Sequence, residues 1–306
     1  RELSQQVLRR DVVGEPEVFS APLVGEMIDP FAGAFAEHLA RYNRHFVLGR
    51  RSGGTAEGML FVRLSLADLP DSEVLDLPGR CLEVVAIDRD VRALAGVLGG
   101  DLAGVALLNH FLIDYDAVVD WADGVQRRRR IAREDGMALV TDPLPEVPVP
   151  GALDAAWRLS VASPVPDEQL RQAVLDMIRV HERQHLCDSF HYLPIGDNLW
   201  RGLALLLQTG VSPVAVEGEM ERRAELAALA RSPHTELVLA HILDFYGSPP
   251  LDSPHHRGFS ELVEQLRDRL LAAGVPPEAT WPARWHELDM QLLRDAAAAL
   301  LAELPR

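Results

Sequence analysis

The sequence predicts an α+β protein: a small N-terminal β-sheet with helices, followed by a helix-rich region. Three observations predict it. Short apolar runs bounded by turn residues lie ahead of a proline-rich stretch at 143–150. Beyond that stretch, apolar residues recur at three- and four-residue spacing almost without a break. Aromatics are only 6% of the chain while Ala and Leu abound, a composition of helical proteins rather than β-sandwiches.

Taken in order, apolar periodicity predicts a helix over Leu23–Tyr42. His45–Gly49 and Met59–Leu66 read as strands, and Ser52-Gly53-Gly54-Thr55 between them carries a turn signal, so a hairpin is expected. Cys81–Ile87 reads as a third strand, and helical spacing is expected over Asp90–Arg133. Pro143, Pro145, Pro148 and Pro150 mark a linker, which divides the chain into a mixed region, 1–150, and a helical region, 151–306. Helices are expected at 167–188, 198–209, 213–230, 233–246, 259–273 and 284–303. Ser212-Pro213 and Ser232-Pro233 supply N-caps with proline at the first helical position, and Gly210 and Gly247 stand where C-terminal glycines belong.

The charge restricts partners. At −16 over 306 residues the chain repels phosphate backbones, so no nucleic-acid partner is expected. Arg127–Arg130 reads as a solvated helix end. There is no lysine, which excludes Schiff-base and phosphate-loop chemistry. Cys81 and Cys187 form no disulfide framework and no cysteine metal cluster; they read as two reduced, buried thiols. No apolar run is long enough for a membrane span; the nearest, Leu102–Val119, is broken by Asn109, His110, Asp114 and Asp116. The chain opens on Arg1, so the lack of a leader carries no information.

One motif carries chemistry: His181-Glu182-Arg183-Gln184-His185. Histidines four apart stack on one face of a helix, about one turn apart, where one zinc ion can take both nitrogens at about 2.0–2.1 Å. Leu170, Val174 and Ile178 continue that stripe, so both rings face inward. Glu182 projects to the side, placed to act as general base without being a ligand. His286-Glu287 starts the same pattern, but Met290 ends it.

A catalytic zinc site needs a third protein ligand. The helix 213–230 offers Glu217 and Glu221 on one face with Val214, Ala224 and Ala228; two acids one turn apart repel unless a cation lies beside them. Glu221 is the first candidate, with Glu217 and Glu219 as alternatives. Glu219, Arg222, Arg223 and Glu225 have the spacing of ordinary surface ion pairs. For an oxyanion stabiliser the chemistry is right in Tyr192, His241, Tyr246, His255 and His256. His241 reads as a buried structural histidine beside Val238 and Phe245, and His255-His256 as an exposed pair in a loop.

Glu221-Arg222-Arg223-Ala224-Glu225 resembles the Glu-x-x-Ala-Asp motif of glutamate-type zincins, such as the CAAX-processing and heat-shock membrane peptidases. The resemblance implies a zincin-like helical region with Zn2+ held by His181, His185 and Glu221, and Glu182 as the catalytic base of a metallopeptidase acting on peptide or protein substrates. It covers the two motif helices; Arg183 and Glu225 depart from the usual residues. By analogy with zincins, Met59–Leu66 is expected to offer a sheet edge to the substrate. His181, His185 and His191 also resemble the metzincin pattern, with Asp188 where that family has its turn glycine and Met220 offered for its Met-turn. The second class of function is a non-catalytic helical interaction or scaffold module, a degenerate zincin.

Overall fold

The computed structural model describes residues 44–50, 57–68, 80–87, 104–107, 110–134, 151–192, 198–247 and 253–304. These residues are mostly helical, and their strands all lie in the first half of the sequence. The expected helix over Leu23–Tyr42, the Ser52–Thr55 turn and the prolines of 143–150 lie outside the described residues. The chain forms two compact units: one holds the described residues up to Ala117, the other those from Val118 onward.

The first unit is built on a five-stranded sheet of order β1-β2-β3-β5-β4. β1 (Arg44–Arg50) and β2 (Glu57–Asp68) pair antiparallel, with Phe46 opposite Phe61 and Leu48 opposite Met59. β3 (Arg80–Ile87) follows antiparallel to β2, with Leu64 opposite Val84. Two further strands replace part of the helix expected over Asp90–Arg133. β4 (Gly104–Leu107) and β5 (His110–Asp114) pair antiparallel, and β5 also lies parallel to β3. Phe111 and Ile113 are fully buried two residues apart, the spacing of one strand face, and this burial outweighs a helical stripe that the short run could equally draw. β2 is flanked on both sides, so Met59–Leu66 is an interior strand and not the sheet edge expected of it.

Asp114 closes the sheet and opens the helices. Its Oδ1 accepts from the amides of Asp116 (2.9 Å) and Ala117 (3.3 Å), capping α1 (Tyr115–Glu134). Val118, Ala122, Val125 and Arg129 form the buried face of α1. The arginine run is therefore only partly a solvated helix end. Arg129 donates to the carbonyls of Ser160 (3.0 Å), Ser163 (2.8 Å) and Val165 (2.6 Å) and to Asp167 (2.8 Å). Arg128 reaches Ser160 Oγ and Asp244. A guanidinium's fork of donors suits the orphan carbonyls at the end of a helix, here α2 (Ala152–Ala162).

α3 (Leu170–Tyr192), α4 (Leu199–Gln208), α5 (Pro213–Arg231), α6 (Thr235–Tyr246), α7 (Pro254–Ala272) and α8 (Met290–Glu303) complete the second unit. Ser212 caps α5 as expected, accepting from Ala215 N with Pro213 behind it. Ser232 instead accepts from His234 N, and α6 begins at Thr235. Ser253-Pro254 repeats the Ser-Pro start, so α7 begins five residues before the expected 259 and takes His255 and His256 out of the loop assigned to them. Gly210 adopts the left-handed conformation (φ 64°) that ends α4. α4 buries Leu205 while Leu199, Trp200 and Leu207 stay exposed. Among the described residues no single helix is long and apolar enough to cross a membrane; α4 and α5 together have the length and composition, but they meet at 103°.

α5 is the centre of the second unit, packing against α3, α7 and α8. Its crossing with α7 is a glycine-to-glycine contact. A Cβ on Gly258 would lie 2.3 Å from the Gly218 carbonyl oxygen and 2.9 Å from Arg222 N. No side chain fits there, so the two backbones come close enough to put the first turn of α7 beside Glu221.

Candidate metal centre

α3 runs unbroken through the motif, so His181 and His185 stack one turn apart with ring centroids 4.7 Å apart. The Nε2 atoms are 3.0 Å apart. From α5, Glu221 brings Oε2 to 3.3 Å from His181 Nε2 and Oε1 to 3.5 Å from His185 Nε2. Each residue thus offers one ligand atom, all within 4.8 Å of one another. Two ligands at about 2.0–2.1 Å from a tetrahedral ion are about 3.3 Å apart. The separation of the two Nε2 atoms, and that of each from its nearer Glu221 oxygen, lie close to that edge length, although the two histidines face different oxygens of the carboxylate. Two imidazoles with a carboxylate are a donor set zinc takes. Side-chain exposures of 12%, 17% and 15% leave the group reachable from solvent.

Two buried carboxylate oxygens sharpen the fit. Glu221 Oε2 is near His181 and, at 3.2 Å, His255 Nε2, but is in hydrogen-bond geometry with neither. Glu182 is 4% exposed and its Oε2 has no hydrogen-bond partner among the described residues. Buried acceptors without donors are costly, and an ion or a water at the centre would satisfy both. Burial raises the Glu182 carboxyl above its ordinary range, against the nearby His185 and His181 and with help from Glu221. A base so shifted is better matched to neutral pH.

Without a metal the same groups form a charge cluster. Burial disfavours an imidazolium at His181, but Glu221 and Glu225 outweigh it and raise its pKa well above 6.5. His185 is likewise raised, by Glu221 against burial. The Glu221 carboxyl, despite burial, is held well below its ordinary range by His185 and His181.

The residues around this group differ from the sequence expectation. Glu225, read as a surface ion-pair member, is 1% exposed: Oε2 lies 2.9 Å from His181 Nδ1 and Oε1 lies 3.0 Å from His241 Nδ1. Burial would raise its carboxyl, but His241 and His181 bring it down to about 2. Arg222 and Arg223 are buried too. Arg222 binds Glu219 through two bonds of 2.7 Å and also Gln265, while Arg223 binds Asp188 at 2.8 Å. Glu219 is thereby engaged away from the histidines, and Glu217 is exposed. His255 stacks on Phe245 at 5.3 Å and faces Glu221. His256 stacks instead on Tyr246.

His191 is not brought to the group. α3 continues through Asp188 without a turn, and six residues of helix separate His191 from His185 by about 9 Å along the axis. Burial and the cations Arg201 and Arg223 push His191 down to about 4. Met220 lies inside α5, not in a turn. Cys187 is buried outside any disulfide.

No family model, curated protein or solved structure matches this chain. The likeness to zincins therefore rests on the motif residues alone. Two signals could have located the missed residues. Glu225 is one turn from Glu221 on the same helix, and Ser253-Pro254 repeats the start at Ser212-Pro213 that places His255 in a first helical turn.

Proposed function

We propose that this protein is a zinc-dependent hydrolase of peptide bonds, with His181, His185 and Glu221 as metal ligands and Glu182 as general base. The observation that carries the reading is the cluster itself: two Nε2 atoms 3.0 Å apart, each within 3.5 Å of one oxygen of Glu221, with one ligand atom from each of the three residues within 4.8 Å of the others, beside a buried Glu182 oxygen with no hydrogen-bond partner among the described residues. Zinc in such a site would acidify a water toward a pKa of ~7 and polarise a carbonyl. Glu182 accepts the proton of the attacking water at Oε2 and passes it to the leaving amine. The resemblance to glutamate-type zincins supplies the substrate class. Glu225 holds His181 by its Nδ1, which leaves Nε2 as the ligand atom.

The test is zinc content and peptide hydrolysis in the native chain and in Glu182→Gln. The amide has nearly the same shape but cannot take the water proton. About one zinc per chain is expected in both proteins, with hydrolysis only in the native one. A chain that neither contains zinc nor melts at a higher temperature when zinc is added refutes the metal site. Hydrolysis undiminished in Glu182→Gln removes Glu182 from its role, and zinc without hydrolysis in the native chain leaves the non-catalytic module.

A further inference from the structure

Three helices meet at one carboxylate. Glu225 on α5 is buried and its two oxygens face two imidazoles, His181 on α3 and His241 on α6, at 2.9 and 3.0 Å. An ionised carboxylate only accepts hydrogen bonds, so each ring presents Nδ1–H to it. When His181 gives up its second proton to a metal, that arrangement leaves the Nε2 lone pair toward His185 and Glu221.

His241 is held among aromatic rings. Trp121 packs against its ring edge-on at 5.9 Å, Phe245 at 5.0 Å and Phe259 at 5.8 Å. Those three aromatics come from α1, α6 and α7. Leu237, Val238, Leu239, Ala240, Ile242 and Leu243 around it on α6 are all fully buried and apolar. An imidazole at this position therefore interrupts an apolar stretch, and its polar edge is turned to Glu225. Three aromatic neighbours restrict the tilt of this ring, so its Nδ1 is placed to orient the Glu225 carboxylate.

We propose that His241 is a positioning residue for the metal centre: its Nδ1–H anchors one oxygen of Glu225, so that the other oxygen holds His181 with Nε2 aimed at the metal position. This deepens the zinc reading and rests on it. Loss of the anchor frees Glu225 to rotate, and with it the tautomer and direction of His181.

The experiment compares His241→Phe and His241→Asn in the full chain. Phe keeps an aromatic ring among Trp121, Phe245 and Phe259 but has no donor. Asn loses the ring but puts an amide N–H near the place of Nδ1. Zinc affinity by chelator competition should fall about 10–100-fold in His241→Phe, the usual effect of losing an outer-shell partner, and stay near native in His241→Asn. The visible spectrum of the cobalt-substituted protein should shift in the Phe variant alone. Nitrogen-resolved histidine NMR of the native zinc-loaded protein should show His181 and His241 both protonated on Nδ1, a readout that needs no variant to fold. Native affinity and an unshifted cobalt spectrum in His241→Phe overturn the proposal. So does equal weakening in both variants, which would assign the effect to packing, or an Nε2–H tautomer at His241. If the native chain binds no zinc, the metal reading itself fails, recognisable because native and variant proteins are alike empty.

Discussion

Gly258→Ala tests the crossing that brings α7 to the candidate centre. The added Cβ would sit 2.3 Å from the Gly218 carbonyl oxygen, 2.9 Å from Arg222 N and 3.3 Å from Glu221 Cβ. A carbon and a carbonyl oxygen approach no closer than about 3.3 Å even in weak hydrogen bonds, so the helices must part by roughly 1 Å. The nearest atoms are backbone and cannot rotate away. Overpacking typically costs about 1–3 kcal/mol and sometimes more, and a backbone clash belongs at the upper end, ~3 kcal/mol. For a unit of this size that lowers the melting temperature by about 6–12 °C. Calorimetry of the metal-free protein reads this directly. Parting the helices also draws His255 from Glu221, now 3.2 Å away, so zinc affinity should fall as well. Gly124→Ala is the control: no atom lies within 4 Å of its Cβ inside α1, and it should be neutral or stabilise by up to about 1 kcal/mol. A Gly258→Ala protein that melts with the native one would refute the close-crossing argument.

Further outcomes follow from the same geometry. Asp188→Ala removes the buried carboxylate that Arg223 Nε binds at 2.8 Å, leaving the guanidinium with weaker contacts such as Glu219 at 3.9 Å and the Tyr192 ring, and should destabilise by up to about 3 kcal/mol, while Asp188→Leu with Arg223→Met should recover most of it; chemical denaturation distinguishes the two, and a negligible effect of Asp188→Ala would show the pair to be dispensable. Glu221→Ala should abolish tight zinc binding while His191→Ala leaves it intact, as measured by chelator competition; the reverse would move the third ligand to His191. The pKa values of His181 and His185 lie above 6.5 in the metal-free fold, so their protonation stabilises it fully below 6.5 and that contribution is lost as pH rises through the folded values. Zinc competes with those protons, so the rise in melting temperature on adding zinc should grow from about pH 6 to about pH 8. A zinc-induced rise that does not change with pH would argue against histidine ligands. Glu225, held at about 2, adds stability that is present above 4.5 and lost as pH falls toward 2.

What the sequence by itself determined was local. The spacing of His181 and His185 puts two imidazoles side by side wherever a helix forms, because an α-helix returns to the same face after four residues. Ser212-Pro213, Gly210 and the first three strands declare themselves through backbone preferences that need no distant partner. Glu221 is ranked ahead of Glu217, Glu219 and His191 by its place on a helix face and by the resemblance of Glu221–Glu225 to a zincin motif, not by spacing alone. Only the tertiary structure decided what surrounds that pair. Glu225 and Arg223 carry the spacing of surface ion pairs, and nothing within α5 says that α3 and α6 will bury them. The run Asp90–Arg133 divides into β4, β5 and α1 because β3 offers β5 a parallel partner and Asp114 a cap, a long-range pairing that short apolar runs do not encode. His255 reaches Glu221 because two glycines far apart in sequence, Gly218 and Gly258, let two helices touch backbone to backbone. Charge and periodicity are properties of neighbours along the chain. Burial, and with it the role of an acid or an imidazole, is set by which other helix arrives.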